Sequence, residues 1–263
     1  MRIAVVSDIH GNLPALEAVV KDMQRRGVDA VVNLGDSVSG PLLPMETAQF
    51  LMSHKDDWVH LAGNHERQLL TLGPGRRGAS DEFAHSRLGA AELEWLASLS
   101  PSVRYSAEVL LCHGTPGSDC EYFLETVERT HVRAATQAEI SVRLGTGVDA
   151  ELVLCGHTHV PRAVRAETGQ LIVNPGSVGL QAYDDLHPYP HVIENGSPDA
   201  RYAIVERQEG RGEWSVALLA VPYAHCAEMA ALARARQREE WAVALESGYI
   251  HSLSVGSIVP APK

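Results

Sequence analysis

Two histidines, His157 and His159, stand two positions apart where the apolar segment "ELVLC" ends in "GHTH". Other polar groups also follow apolar segments and lie beside a glycine: Asp8 with His10, Asp36, Asn64 with His65, and His113. A single residue of this kind is usually a turn or surface residue. Five such groups predict one ligand-binding edge of a sheet, because ligands bind beyond the carboxyl ends of strands in open α/β sheets.

The side chains in these groups are of the types that bind divalent metal ions. Carboxylate oxygens, an amide oxygen and imidazole nitrogens are typical of Mn, Fe, Zn or Ni sites. The candidate ligands are Asp8, His10, Asp36, Asn64, His113, His157 and His159. This set exceeds the needs of one ion, so we predict two ions that share the Asp36 carboxylate. Two divalent cations outweigh two carboxylates in charge, and the excess would attract an anion such as a phosphate ester.

Alternating strands and helices position the first groups. Apolar segments predict strands at 2–7, 29–36 and 57–64, and helices are predicted between them at 11–27 and 43–54. This order favours parallel strands joined by right-handed crossovers, with the strand ends at one edge.

The remaining chain continues the mixed α/β pattern. Helical segments are predicted over about 66–99, with an interruption at 73–80, and over 130–144 and about 223–247. The predicted strands are 102–106, 108–114, 151–156, 162–167, 171–176, 201–207 and 214–221. No repeat or linker is evident, so a single domain over residues 1–263 is the simplest organisation.

Composition excludes several classes of protein. The formal net charge is −11 and no Lys/Arg-rich run occurs, which argues against binding to duplex nucleic acid. No apolar segment has the length of a membrane span, and the first apolar run is too short for a secretory signal. Four cysteines without CxxC spacing are expected to be free thiols. We therefore expect a cytoplasmic protein.

The ordered motifs resemble those of the calcineurin-like metallophosphoesterase superfamily. They are "DIHGN", "GDSV", "GNHE", "HGTP" and "GHTH", and the later "NPGSVG" and "VPYAHCAEM" are similar to its small bacterial and archaeal phosphodiesterase branch. The resemblance covers essentially the whole chain. It implies an α/β fold, a four-layer α/β/β/α sandwich of two mixed β-sheets.

The resemblance also implies a role for each candidate residue. One ion would be held by Asp8, His10, Asp36 and His159, and the other by Asp36, Asn64, His113 and His157. His65 would protonate the leaving group or stabilise charge in the transition state. The implied reaction is hydrolysis of a small phosphate ester by in-line attack of a metal-bridging hydroxide. Mn is the first candidate metal, with Fe, Zn, Ni and Mg as alternatives.

Two departures from the family pattern bear on the substrate. The phosphoprotein phosphatase branch has an acid and an arginine in a GDxxDR motif, and Ser39 and Gly40 stand at those positions. Their absence argues against a phosphoprotein phosphatase and leaves the partner that orients His65 undefined. A phosphodiesterase is the leading interpretation. The alternatives are a phosphomonoesterase or nucleotide phosphatase, a non-catalytic interaction module on the same fold, and a nuclease for long DNA.

Other features leave alternatives open. The loop predicted over 181–200 carries His187 and His191 and would be part of the substrate-pocket wall or a lid, or else a surface loop. Assembly into a homo-oligomer is open. Histidines outside the motifs are expected to be structural or on the surface: His54, His60, His85, His131, His225 and His251.

Overall fold

The computed structural model describes residues 1–207 and 212–250. In chain order the strands are β1 (Arg2–Val6), β2 (Ala30–Asn33), β3 (Trp58–His60), β4 (Ser102–Arg104), β5 (Val109–Cys112), β6 (Glu125–Val127), β7 (Val132–Ala134), β8 (Leu152–Leu154), β9 (Arg162–Arg165), β10 (Leu171–Asn174), β11 (Ala182–Asp185), β12 (His191–Glu194), β13 (Ala200–Arg207) and β14 (Trp214–Val221). The helices are α1 (Leu13–Arg26), α2 (Pro44–Ser53), α3 (Asn64–Thr71), α4 (Ala79–Arg87), α5 (Ala90–Ser98), α6 (Gln137–Leu144), α7 (Cys226–Ala235) and α8 (Glu239–Ser247).

The first five-stranded sheet has the order β14-β13-β1-β2-β3. Strands β1, β2 and β3 are parallel, whereas β13 and β14 are antiparallel additions. Side chains alternate between its faces, so Ile3 and Val5 enter the core between the sheets. Ala4 and Val6 pack on the helix side, where Leu16 of α1 is also buried.

The second five-stranded sheet has the order β4-β5-β8-β10-β9. Its central strands β5, β8 and β10 are parallel, and the two edge strands are antiparallel. Leu111 and Leu154 face the first sheet. Val153 packs on the opposite face against Ile140 and Leu144 of α6. The result is a helix, sheet, sheet, helix sandwich, and the predicted fold class is confirmed.

Four predicted segments differ from the structure. The single helix predicted over about 223–247 is two helices, α7 and α8, and Gln237 between them has a φ of 60°. The break lets both helices pack on one apolar cluster with Leu42 and Leu180. The helix predicted over 130–144 begins only at Gln137, because the preceding residues form β7 and pair with β6.

The third difference is the segment predicted as a loop over 181–200. It contains a hairpin in which β11 pairs with β12 from Ala182–Glu194 to Asp185–His191. The segment predicted as helical over about 66–99 also resolves into separate helices, with α3 starting at Asn64. Polar and proline-rich composition obscured the hairpin, since its pairing depends on contacts with the rest of the fold. No described helix has both the length and the apolar character that crossing a bilayer requires.

Packing between the sheets predicts a large cost for truncating Leu111, which is fully buried there. Leu111→Ala is expected to lower the free energy of unfolding by about 2–5 kcal/mol, because it leaves a cavity in a closely packed core. Denaturant unfolding measures this value. The matched control is Leu186→Ala at a side chain that is 60% exposed, with an expected change within about 0.5 kcal/mol. Equal losses in the two variants would contradict this account of the core.

Candidate metal centre

Loops at the carboxyl ends of the strands are joined by backbone hydrogen bonds. The Asp8 N–H donates to the Gly35 carbonyl at 3.0 Å, which connects the loops after β1 and β2. The Gly156 N–H donates to the His113 carbonyl at 2.7 Å, which connects the loops after β5 and β8. Val178, beyond β10, donates to the Ser7 carbonyl of the first sheet at 3.0 Å. These contacts bring polar groups from both sheets to one edge.

Backbone strain is concentrated in this region. Among the described residues, six non-glycine residues have a positive φ, and five of them are candidate ligands: Asp8, His10, Asp36, His157 and His159. Each such conformation costs on the order of 1 kcal/mol or more for an L-amino acid. Five candidate ligands share this strained conformation at one site. The fold therefore accepts a loss of stability in exchange for the orientation of these side chains.

The first candidate cluster consists of Asp8, His10 and His159, whose ligand atoms lie within 4.8 Å of one another. His10 Nδ1 donates to the Ser39 carbonyl at 2.8 Å, and His159 Nδ1 donates to the Leu180 carbonyl at 2.7 Å. In rings with this tautomer and no added proton, the lone pairs lie on the two Nε2 atoms, which face each other across 3.0 Å. Two facing lone pairs repel unless a positive charge lies between them.

Asp8 adds a carboxylate oxygen to this cluster. Its Oδ1 is buried and has no hydrogen-bond partner among the described residues, although His159 Nε2 lies 3.3 Å away. Burial and the neighbouring His159 lower the pKa of His10 to about 4, so that ring is neutral. An unpartnered carboxylate oxygen beside imidazole lone pairs fits a divalent cation.

The second candidate cluster consists of Asp36, His113 and His157, again with ligand atoms within 4.8 Å. His113 Nδ1 donates to the Leu34 carbonyl at 2.8 Å, and its Nε2 lies 3.1 Å from both Asp36 Oδ2 and Asn64 Oδ1. Burial would lower the pKa of His113, but the Asp36 carboxylate outweighs it and raises this pKa to about 10. The Asp36 and Asn64 oxygens therefore favour a positive charge beside them. Either a proton on His113 or a bound metal cation supplies that charge.

Glu66 is an acidic residue of the site that sequence reasoning missed. Its buried carboxylate accepts backbone hydrogen bonds from Asp36, Ser37 and Gly63, each at 2.8 Å. These contacts join the loop after β2 to the start of α3, which carries Asn64. The capping-box spacing of "GNHE", with glutamate three residues after Gly63, was the sequence signal for this role.

His65 lies beside the clusters and makes different contacts. Its backbone N–H donates to Asp36 Oδ1 at 2.9 Å, and its ring Nδ1 donates to Asp81 Oδ1 at 2.7 Å. Burial opposes protonation of the ring, but Asp36 and Asp81 raise the pKa of His65 to about 9. Its side chain is 30% exposed and lines the neighbouring cavity. The sequence offered no signal for Asp81 beyond an acid in the first turn of a helix.

A cavity of about 410 Å³ opens over both clusters. The hairpin of β11 and β12 forms one wall, in which Tyr183 and His187 line the cavity. The Tyr122 hydroxyl is hydrogen-bonded to the Tyr183 hydroxyl at 2.6 Å and to His191 Nε2 at 3.0 Å. The segment predicted over 181–200 as either a pocket wall or a surface loop therefore lines the cavity.

The histidines expected to be structural or on the surface belong to neither cluster and do not line the cavity wherever the structure describes them. His60 is buried between Trp58 and Trp95, and burial lowers its pKa to about 4. His225, which precedes α7, forms a hydrogen bond from its ring Nδ1 to Glu228 at 2.8 Å. His251 lies outside the described residues.

Fold and site together define a class of protein, a two-sheet α/β sandwich with a cluster of metal-type ligands at the strand ends. The chain belongs to the calcineurin-like phosphoesterase superfamily, because the family model for that domain matches residues 1–192. This family comprises metal-dependent phosphoester hydrolases, and the resemblance seen in the motifs is confirmed at that level.

Relatives in bacteria and archaea agree with this assignment. A metallophosphoesterase from Sphaerobacter thermophilus has 26% identity and a TM-score of 0.71, covering 94% of this chain and 100% of its own. A hypothetical protein of Pyrococcus horikoshii has 16% identity and a TM-score of 0.69, covering 94% and 98%, and supports the fold alone. An uncharacterised protein of Methanocaldococcus jannaschii is 25% identical over 187 residues, which cover 68% of this chain and 70% of that protein.

The three backbone contacts of Glu66 predict that its charge holds the site together. Glu66→Gln replaces one accepting oxygen by a donor that faces backbone N–H groups. It is expected to lower the free energy of unfolding by about 1–3 kcal/mol and to weaken metal binding. Denaturant unfolding and metal titration calorimetry measure the two effects. Glu92→Gln is the matched control, since Glu92 accepts from one backbone N–H, that of Gly89, in another helix. Equal metal affinities in the two variants would exclude this role.

Proposed function

We propose that the chain is a dinuclear metal-dependent phosphodiesterase that hydrolyses a small phosphate ester. The observation that carries the proposal is the convergence of two ligand clusters beside His65 and under one cavity. Asp36 contributes to one cluster, and its backbone carbonyl accepts a hydrogen bond from the N–H of His10 in the other cluster at 3.0 Å. This arrangement supports Asp36 as the carboxylate shared between two ions.

The proposed ligands divide between the ions by their contacts. Asp8, His10 and His159 would bind one ion, and Asn64, His113 and His157 the other, with Asp36 common to both. Manganese is the first candidate, and Fe, Zn, Ni and Mg suit the same oxygen and nitrogen ligands. When bound, such ions neutralise phosphate charge and lower the pKa of water.

His65 is the proposed general acid of the reaction. It lines the cavity and is not part of either cluster, so its ring is free to serve the substrate. Attack by a water oxygen forms a bond to phosphorus while the bond to the leaving-group oxygen breaks. His65 Nε2 gives its proton to that oxygen. The attacking water loses one proton to solvent, and His65 regains one from solvent before the next turnover, so the sum is one water consumed per ester cleaved.

The position that carries an arginine in the phosphoprotein phosphatases is closed in this chain. A Cβ added at Gly40 would lie 2.6 Å from the His10 carbonyl oxygen and 2.7 Å from Trp241 Cη2. An arginine therefore does not fit at residue 40 without displacing both neighbours. This supports a substrate other than a phosphoprotein.

The charge of the cavity wall favours diesters over monoesters. Asp184, Asp185 and Glu240 line it, and Arg238 there is already paired with Glu240 at 2.5 Å. A phosphodiester carries one negative charge near neutral pH, whereas a monoester carries close to two and is repelled more strongly. The same acidity and the net charge of −11 support a small substrate rather than duplex nucleic acid. A non-catalytic module would have no need for His65 and both clusters.

A panel of substrates and metals tests the reaction class. Aryl phosphodiesters and monoesters with the same leaving group are assayed with Mn, Mg, Ni and Zn. We expect a higher kcat/KM on the diester, loss of activity after chelation, and a fall in turnover of about 10²-fold or more in His65→Ala. Preference for the monoester would support the phosphatase alternative. Hydrolysis of neither ester under any metal would contradict the proposed function.

The division of ligands between two ions has its own test. His157→Ala is expected to release the ion shared with Asn64 and His113, and His159→Ala the ion shared with Asp8 and His10. Mass spectrometry of the purified variants measures the number of ions bound per chain, with one retained in each case. His131→Ala, an exposed histidine away from the site, is the control and keeps two. Equal loss of both ions in each variant would contradict the division.

A further inference from the structure

The side chain that fixes the ring of His65 comes from a helix outside the metal-binding loops. Asp81 is 1% exposed and lies in the first turn of α4. Its Oδ1 accepts two hydrogen bonds, from His65 Nδ1 at 2.7 Å and from the Ser39 hydroxyl at 2.6 Å. One carboxylate oxygen thus holds a histidine from α3 and a serine from the loop after β2.

The fold places Asp81 firmly. Ala84 and Leu88 follow it at helical spacing and are buried in the core between the first sheet and its helices. Asp81 also lies in the first turn of α4, where the helix dipole favours negative charge. Asp81 is therefore anchored by its own helix and does not depend on His65 for its position.

The contact with Asp81 leaves one ring nitrogen of His65 for the substrate. Since Nδ1 carries the hydrogen that is donated to Asp81, Nε2 is the atom that can face the cavity. A histidine whose other nitrogen is held by a buried carboxylate has one ring orientation, and proton transfer requires the donor within hydrogen-bond reach of the leaving oxygen. The Ser39 hydroxyl donates to the same carboxylate oxygen at 2.6 Å and adds a second contact that holds it in this orientation.

We propose that Asp81, supported by Ser39, is the positioning residue that orients His65 for proton transfer to the leaving group. This rests on the proposed function, since it assumes that His65 is the general acid. Sequence pattern could not identify Asp81 in this role. Its supporting donor Ser39 lies close in the chain to Asp36, but Asp81 itself lies 42 residues after Ser39.

Leaving-group dependence tests the role. Asp81→Asn keeps the shape of the side chain and removes its charge. On a series of aryl phosphodiesters, its kcat is expected to fall about tenfold or more for poor leaving groups and to change little for good ones, which need no proton. Metal content is expected to equal that of the wild type. Asp22→Asn is the matched control, because Asp22 is also a buried, hydrogen-bonded aspartate, bound by Tyr202 far from the site.

A double variant separates positioning from general stability. If Asp81 acts through His65, then Asp81→Asn causes no further loss of kcat in a His65→Ala background, because the group that it positions is gone. Additive losses, or a uniform loss across all leaving groups, would overturn the proposal while leaving the proposed function intact. Absence of any hydrolysis by the wild-type protein would overturn both.

A measurement on the wild type covers the case in which Asp81→Asn does not fold. Nitrogen NMR of ¹⁵N-histidine-labelled protein loaded with Zn reports which ring nitrogen carries hydrogen, and His65→Ala identifies the resonance. The proposal expects hydrogen on Nδ1 of His65. An unprotonated Nδ1 would overturn it, since such an atom donates nothing to Asp81.

Discussion

The site depends on the forced approach of groups that repel one another. His10 and His159 direct Nε2 lone pairs at each other across 3.0 Å, and Asp8 adds a buried oxygen that has no partner among residues 1–207 and 212–250. His113 Nε2 lies 3.1 Å from an Asp36 oxygen and from the Asn64 side-chain oxygen, and these oxygens favour positive charge at that position. Such an arrangement is stable only around positive charge, so the fold must hold these atoms in place against their repulsion.

Most of the surrounding structure serves to maintain that arrangement. Five candidate ligands occupy strained backbone conformations, and hydrogen bonds between loops hold them there. Glu66 binds the loop after β2 to α3, and the Ser177 hydroxyl donates to the Asp8 carbonyl at 2.7 Å. The two sheets supply the rigid base, because their shared core is buried and closely packed. The stability of the core between the two sheets thus offsets the backbone strain of the candidate ligands at the strand ends.

Much of the fold could be predicted from local patterns. The apolar run of β1 and the capped, amphipathic α1 have signals that short-range physics determines, and the structure has both. The errors fall where tertiary contacts decide. Residues of β7 pair with β6, α7 and α8 divide so that both pack on one cluster, and the hairpin of β11 and β12 forms against Tyr122. Apart from β6, which lies shortly before β7, the contacting residues are distant in the chain: Leu42 and Leu180 for α7 and α8, and Tyr122 for the hairpin.

The sequence by itself determined the ligand types and their attachment to strand ends, because glycine turns after apolar strands are local features. It also supplied His65, whose motif is contiguous with Asn64. Only the tertiary structure decided what surrounds these residues. Asp81 reaches His65 from a separate helix, and Trp241 closes the space at Gly40 from nearly the far end of the chain. Side chains distant in sequence meet only when the sheets and helices have packed, so no local pattern encodes their contact.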